Sequence, residues 1–168
     1  MLRSYPARVE ADGVQLPRSA DALARAGRLV NDQARREPGA VAFQDYLPCV
    51  LDALASVGRM INEEGGGLGI ASFSDWYKSV PVHPIVNLRH AELKRLQSHS
   101  VSVMQSQSFA SNGTFRGRPI YAGDHATWWE WFFDAGPYDG QRVLDVLLTV
   151  LADRAALLAE AERRLATP

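Results

Sequence analysis

Residues 73–99 read FSDWYKSVPVHPIVNLRHAELKRLQSH, and this stretch organises the rest of the chain. It carries three of the four histidines, both lysines and a Trp-Tyr pair, so most of the chain's titratable variety falls in one place. Ser74 is placed to cap a short helix through Asp75, Trp76, Tyr77 and Lys78. Pro84 then opens a longer helix at its first position, where a missing N–H costs nothing, and this helix is predicted to run to about Gln97. At roughly 100° per residue, Ile85, Val86, Leu88, Leu93 and Leu96 share one broad face. Arg89 falls in the middle of that face, with Glu92 beside it one turn on, while Asn87, His90 and Lys94 point to its edge or away. A charge at the centre of an apolar face requires a partner or a purpose. The expected partner is Glu92, or an acid on a neighbouring helix such as Asp52.

Upstream, residues 1–17 hold Pro6, Gly13 and Pro17 without helical period and read as an N-terminal arm. Ser19 caps a predicted helix from about Ala20, with Leu23, Ala26, Val30 and Ala34 on one face and Pro38-Gly39 at its end. Phe43, Leu47, Val50, Leu51, Leu54, Val57, Met60 and Ile61 then follow three-four spacing. Pro48 lies inside that pattern and predicts either a kink or a helix that begins at Leu47–Pro48. Gly65-Gly66-Gly67 reads as a flexible connector, since it follows a helix and lacks the ending of a phosphate-binding P-loop. Cys49, on the apolar face, is expected to be a small buried hydrophobe.

Downstream the period changes to two. Val101 to Gln107 alternates, Thr114 to Tyr121 is strand-like, and Ser111-Asn112-Gly113 between them signals the turn of a hairpin. TWWEWFFD, residues 127–134, is a third strand or an extended plug of core aromatics. Asp139 caps the last predicted helix, whose stripe runs through Leu144, Leu147, Leu148, Leu151, Ala155, Leu158, Ala161 and Leu165. The expected fold is mainly α. It is an antiparallel bundle of four principal helices with a small antiparallel β insertion at about 100–134, in one domain spanning 18–168.

Composition narrows the function classes. The 168 residues are 46% hydrophobic and 22% charged with net charge −1, so no global field draws the chain to nucleic acid or an anionic membrane. Sixteen arginines against two lysines reflect a coding bias more than a function. One cysteine excludes an intrachain disulfide and a cysteine-based zinc cluster. No leader-like or membrane-spanning apolar run is present, so a cytoplasmic location is expected. His83, His90 and His99 lack the spacing of a metal site, and no GxSxG elbow supports a serine triad. Neither a metal nor a cofactor is expected. Arg116 and Arg118 are too few for a nucleic-acid footprint.

The polar candidates are therefore Arg89, His90, Lys94 and His99. Arginine offers a planar fork for phosphate, histidine titrates near neutral pH, and lysine adds positive charge. The competing reading pairs Arg89 with Glu92 and leaves His90 and Lys94 in solvent.

The order of a long helix ending Ser56-Val57-x-x-Met60-Ile61, then Phe73-x-x-Trp76-Tyr77, then Leu88-Arg89-His90, resembles HEPN-superfamily helical proteins over about residues 40–165. The resemblance implies an antiparallel helical bundle, a homodimer, and in many members a metal-independent ribonuclease acting through an Arg and a His. On this chain Arg89 matches the motif Arg and His90 the polar residue after it. Lys94 stands where the motif His belongs, and His99 lies ten residues from Arg89. Lysine is a poor proton shuttle near neutral pH, so the resemblance implies a non-catalytic interaction or nucleotide/RNA-sensing module with a protein or RNA partner. A ribonuclease using Arg89 with a nearby His is the alternative.

Overall fold

The computed structural model describes residues 9–10, 13–37, 40–94 and 100–166. Among the described residues the chain is mainly helical, with five α-helices and three antiparallel strand pairs. Strands β1 (Val9–Glu10) and β2 (Gly13–Val14) form a minimal ladder within the predicted arm, and β2 lies against the C-terminal helix. Leu16, at the arm's end, is fully buried.

Helix α1 (Pro17–Arg36) begins earlier than the sequence predicts, with Pro17 at its first position. Ser19 is not its cap. The backbone N–H groups of Arg18 and Ser19 donate instead to the Glu64 carboxylate at 3.0 and 2.8 Å, and the Ser19 hydroxyl donates to it at 2.8 Å. A carboxylate from a distant helix thus satisfies the free donors and complements the positive end of the helix dipole.

Helix α2 (Ala40–Gly66) runs unbroken through Pro48 and packs against every other α-helix. Phe43, Leu47, Val50, Leu51, Leu54, Val57 and Ile61 are all fully buried, as their spacing requires. Cys49 is exposed, because two residues turn it about 200° from Leu47, onto the outer face. The glycine run is not a loose connector either. Gly65 is buried in the last turn of α2, and a Cβ there would meet the Phe73 ring at under 3.0 Å. Only glycine lets that ring seat against the helix.

Helix α3 (Ala71–Ser79) starts before Ser74, which lies inside it, with Ile70 in the capping position. Helix α4 (Pro84–Lys94) opens at Pro84 as expected, and Ile85 and Leu88 are buried. The predicted continuation to Gln97 lies outside the described residues. After a 3-10 turn (Gly136–Tyr138), helix α5 is Val143–Ala166, so Asp139 follows the turn and does not cap the helix. Its buried line passes through Leu147, Val150, Arg154, Leu158, Ala161 and Leu165, whereas Leu148 is 53% exposed.

The β insertion pairs differently from the sequence expectation. Strand β3 (Ser100–Ser108) pairs along its whole length with β6 (His125–Phe133), the Trp-rich segment. Between them β4 (Gly113–Phe115) and β5 (Arg118–Ile120) make their own hairpin. Arg116 and Gly117 both have positive φ, 52° and 75°, the conformation a two-residue hairpin turn needs. That turn folds the segment on itself before it can reach β3. Trp131 and Phe133 anchor the ribbon in the helical core, with Trp131 stacked on Phe43 at 4.9 Å. Among the described residues no helix is long and apolar enough to cross a membrane.

Candidate functional site

The expectation that Arg89 needs an acidic partner is met by Asp52 on α2. Nε and Nη2 of Arg89 lie 2.8 and 2.7 Å from Asp52 Oδ1. The pair is part-exposed, with side chains 32% and 48% accessible, so it contributes about 0.2–1 kcal/mol and fixes orientation more than stability. One guanidinium edge is held by the helix-helix contact, and the side chain borders a cleft of about 370 Å³.

The cleft lies where α2, α3, α4 and α5 converge. Arg59 comes from α2, Tyr77 from α3, His83 from the connection to α4, Arg89 and His90 from α4, and Arg154 from α5. Val80, Pro81, Val82, Val86 and Leu157 supply apolar wall. Among the described residues none that lines it is acidic. The Phe73-x-x-Trp76-Tyr77 segment explains one side. Phe73 is fully buried against α2, Trp76 packs on Phe73 at 5.4 Å, and Tyr77 is left to face the cleft. The Tyr77 hydroxyl donates to the Gly58 carbonyl, which ties α3 to α2.

Arg154 is the group that sequence reasoning missed. It is only 5% exposed, and its Nε donates to the Leu54 carbonyl at 3.2 Å. Among the described residues no carboxylate forms a salt bridge with it. Gly58 makes room for it, since a Cβ there would lie 3.0 Å from Arg154 Nη1. Burial pulls the guanidinium below the ordinary arginine pKa, against the attraction of Tyr77, Tyr138 and Asp153. Arginine nevertheless stays charged near neutral pH. Burial likewise raises the Tyr77 phenol, and the positive charge of Arg154 draws it partly back.

His83 plays a local role at the same rim. Its Nδ1 accepts the Ile85 N–H at 3.2 Å, capping α4, and its Nε2 faces Asp153 Oδ2 at 3.3 Å. The two contacts together require the neutral tautomer with its proton on Nε2. Burial lowers the His83 pKa, the Asp153 hydrogen bond opposes this, and the charge of Arg154 adds to the lowering.

Of the sequence candidates, Arg89 and His90 come together at the cleft, with His90 exposed at its edge. Lys94 lies in the last turn of α4, with its side chain outside the described residues, and His99 lies outside them altogether. The signal for Arg154 was available: Leu147, Leu151, Arg154, Leu158, Ala161 and Leu165 step by four, three, four, three and four. A charge sits in that apolar stripe just as Arg89 does in α4. Among the described residues no group of three or more His, Cys, Asp or Glu side chains is placed to hold a metal ion. No protein-family model matches the chain, and no curated protein or solved structure matches it either.

Proposed function

We propose that this chain is a non-catalytic, HEPN-like helical module that senses a nucleotide or RNA through its phosphate, using the cleft between α2, α3, α4 and α5. The reading includes a helical bundle of the antiparallel HEPN kind and a homodimer. The observation that supports it is Arg154, a buried guanidinium with no salt bridge to a carboxylate among the described residues, in a cleft whose described lining holds no acid. Leaving a buried charge uncompensated is costly, and an anionic ligand supplies the missing partner. Arg89, oriented by Asp52, and Arg59 bring two more guanidinium groups to the same cleft. The test is calorimetric titration of the protein with adenosine 5′-monophosphate and with a short RNA. Binding lost in Arg154→Met and weakened in Arg89→Met supports the reading, and no binding of either probe by the wild type refutes it. Light scattering at twice the 18.5 kDa chain mass checks the homodimer.

The adjacency of Arg89 and His90 at one cleft favours a second reading, a metal-independent ribonuclease. Arg89 would hold the phosphate and His90 move the proton, a contribution of roughly 10²–10⁴-fold. His90 is exposed and has no orienting partner among the described residues, so weak or absent cleavage is expected in EDTA. Robust cleavage abolished by Arg89→Ala and by His90→Ala establishes the ribonuclease instead.

A further inference from the structure

We infer that the cleft takes a terminal phosphate, a phosphomonoester dianion on one nucleotide or on a strand end, in preference to the internal phosphodiesters of a continuous strand. This rests on the phosphate-sensing reading above and narrows it.

Three observations carry the inference. The first is charge balance. Arg89 is shared with Asp52, while Arg59 and Arg154 form no salt bridge among the described residues, Asp153 acting on Arg154 only through space; the described lining of the cleft holds no acid. Arg59 Nη2 lies 3.5 Å from the Ser56 hydroxyl. A phosphomonoester carries about −1.5 to −2 at neutral pH, whereas each diester linkage carries a single charge. Two guanidinium groups without a salt bridge among the described residues favour the higher charge.

The second is depth. Arg154 is 5% exposed, so a phosphate that meets its guanidinium must leave solvent to do so. A terminal phosphate has one carbon substituent to lead back out of the cleft. A diester has two, and the flanking nucleosides must both be seated or expelled. At about 370 Å³ the cleft is near the lower end of small-ligand sites, which run about 300–1,000 Å³.

The third is the donor set. Arg59, Arg89 and Arg154 approach from α2, α4 and α5, three separate helices, and so can each address a different oxygen. A monoester has three non-bridging oxygens and a diester two. The apolar wall of Val80, Pro81 and Val82 is left for the sugar or base.

The experiment compares adenosine 5′-monophosphate with its methyl ester, which keeps the nucleoside and phosphorus but removes one charge and one free oxygen. A 5′-phosphorylated and a 5′-hydroxyl RNA tetramer form the second pair. Titrations use the full chain, with Arg59→Met as the variant, because Arg59 is exposed and its loss leaves the core untouched. The expected result is at least fivefold tighter binding of the monoester and of the 5′-phosphorylated tetramer, falling to less than twofold in Arg59→Met. Less than fivefold preference in the wild type, or a preference unchanged in Arg59→Met, overturns the terminal-phosphate inference while the phosphate-sensing reading stands. Failure of all four probes to bind overturns both.

Discussion

Arg154→Met separates a residue kept for a ligand from one kept for the fold. Methionine preserves an unbranched stem of similar reach in a position that is 5% exposed, so the apolar packing of the arginine stem is largely retained. The lost hydrogen bond from Nε to the Leu54 carbonyl does not orphan that carbonyl, because Leu54 lies mid-helix and accepts along the α2 ladder. What disappears is the desolvation of a cation that has no salt bridge among the described residues. Replacing buried ionic groups by apolar ones of similar volume is neutral to stabilising by about 1–4 kcal/mol. Discounting for the Leu54 bond leaves an expected gain of about 1–2 kcal/mol. For a chain of this size that raises Tm by roughly 2–8 °C. Scanning calorimetry with and without adenosine 5′-monophosphate reads both halves of the argument. The wild type gains about 2.7 kcal/mol at ligand one hundredfold above Kd, whereas the variant starts more stable and does not respond. A loss of about 3–5 kcal/mol in Arg154→Met without ligand, the cost of breaking a buried ion pair, refutes the reasoning and makes Arg154 a structural residue.

Three further substitutions probe the frame around the cleft. Gly65→Ala places a Cβ inside contact distance of the Phe73 ring; overpacking near the top of its usual range, ~3 kcal/mol, less about 1 kcal/mol of helix propensity, gives a net loss of about 2 kcal/mol by urea denaturation. Glu64→Ala removes the acceptor for two backbone N–H groups and the Ser19 hydroxyl at the start of α1, and is expected to cost about 1–2 kcal/mol in the same assay. The folded-state pKa of His83 is lowered below 6.5, so the unfolded chain takes up its proton first as pH falls. Its contribution is therefore full above about pH 6.5 and declines as pH drops from there through the lower folded value. The difference in stability between wild type and His83→Asn, measured at pH 7.5 and pH 5, should shift in favour of Asn at the lower pH, because Asn caps α4 without titrating.

How much of this was legible depended on whether the cause was local. The spacing of α2 named eight core residues, seven of them fully buried and Met60 half-buried, because a single helix, read at 3.6 residues per turn, contains its own phase. The ribbon was different. Alternation marks a strand but not its partner, and the choice between Thr114–Tyr121 and the Trp-rich segment was settled by a turn at Arg116-Gly117. Helix starts failed for a related reason. Ser19, Ser74 and Asp139 are all good capping residues, yet α1 is capped by Glu64 from α2, while α3 and α5 start at other positions. Gly65 read as flexible for the same reason, since the Phe73 ring it accommodates belongs to another element.

The site was legible to the extent that it broke a pattern. Arg89 interrupted the apolar face of α4, and the demand for a partner led to Glu92 or Asp52; Asp52 does hold it, and the Glu92 side chain lies outside the described residues. The same demand applied to Arg154 ends differently. Its stripe is longer, its burial is greater, and among the described residues no carboxylate forms a salt bridge with it. An arginine that meets a carboxylate explains a helix contact. One whose hydrogen bond among the described residues goes to a backbone carbonyl, with two further guanidinium groups at the same cleft and Gly58 leaving room for its terminal nitrogens, forms no ion pair there. Folding alone gives no return on that arrangement, because methionine would fill the space at lower cost. On the proposed reading an anion entering the cleft supplies the missing counter-charge, and for that reason Arg154 bears on that proposal more directly than the Arg-His pair on α4.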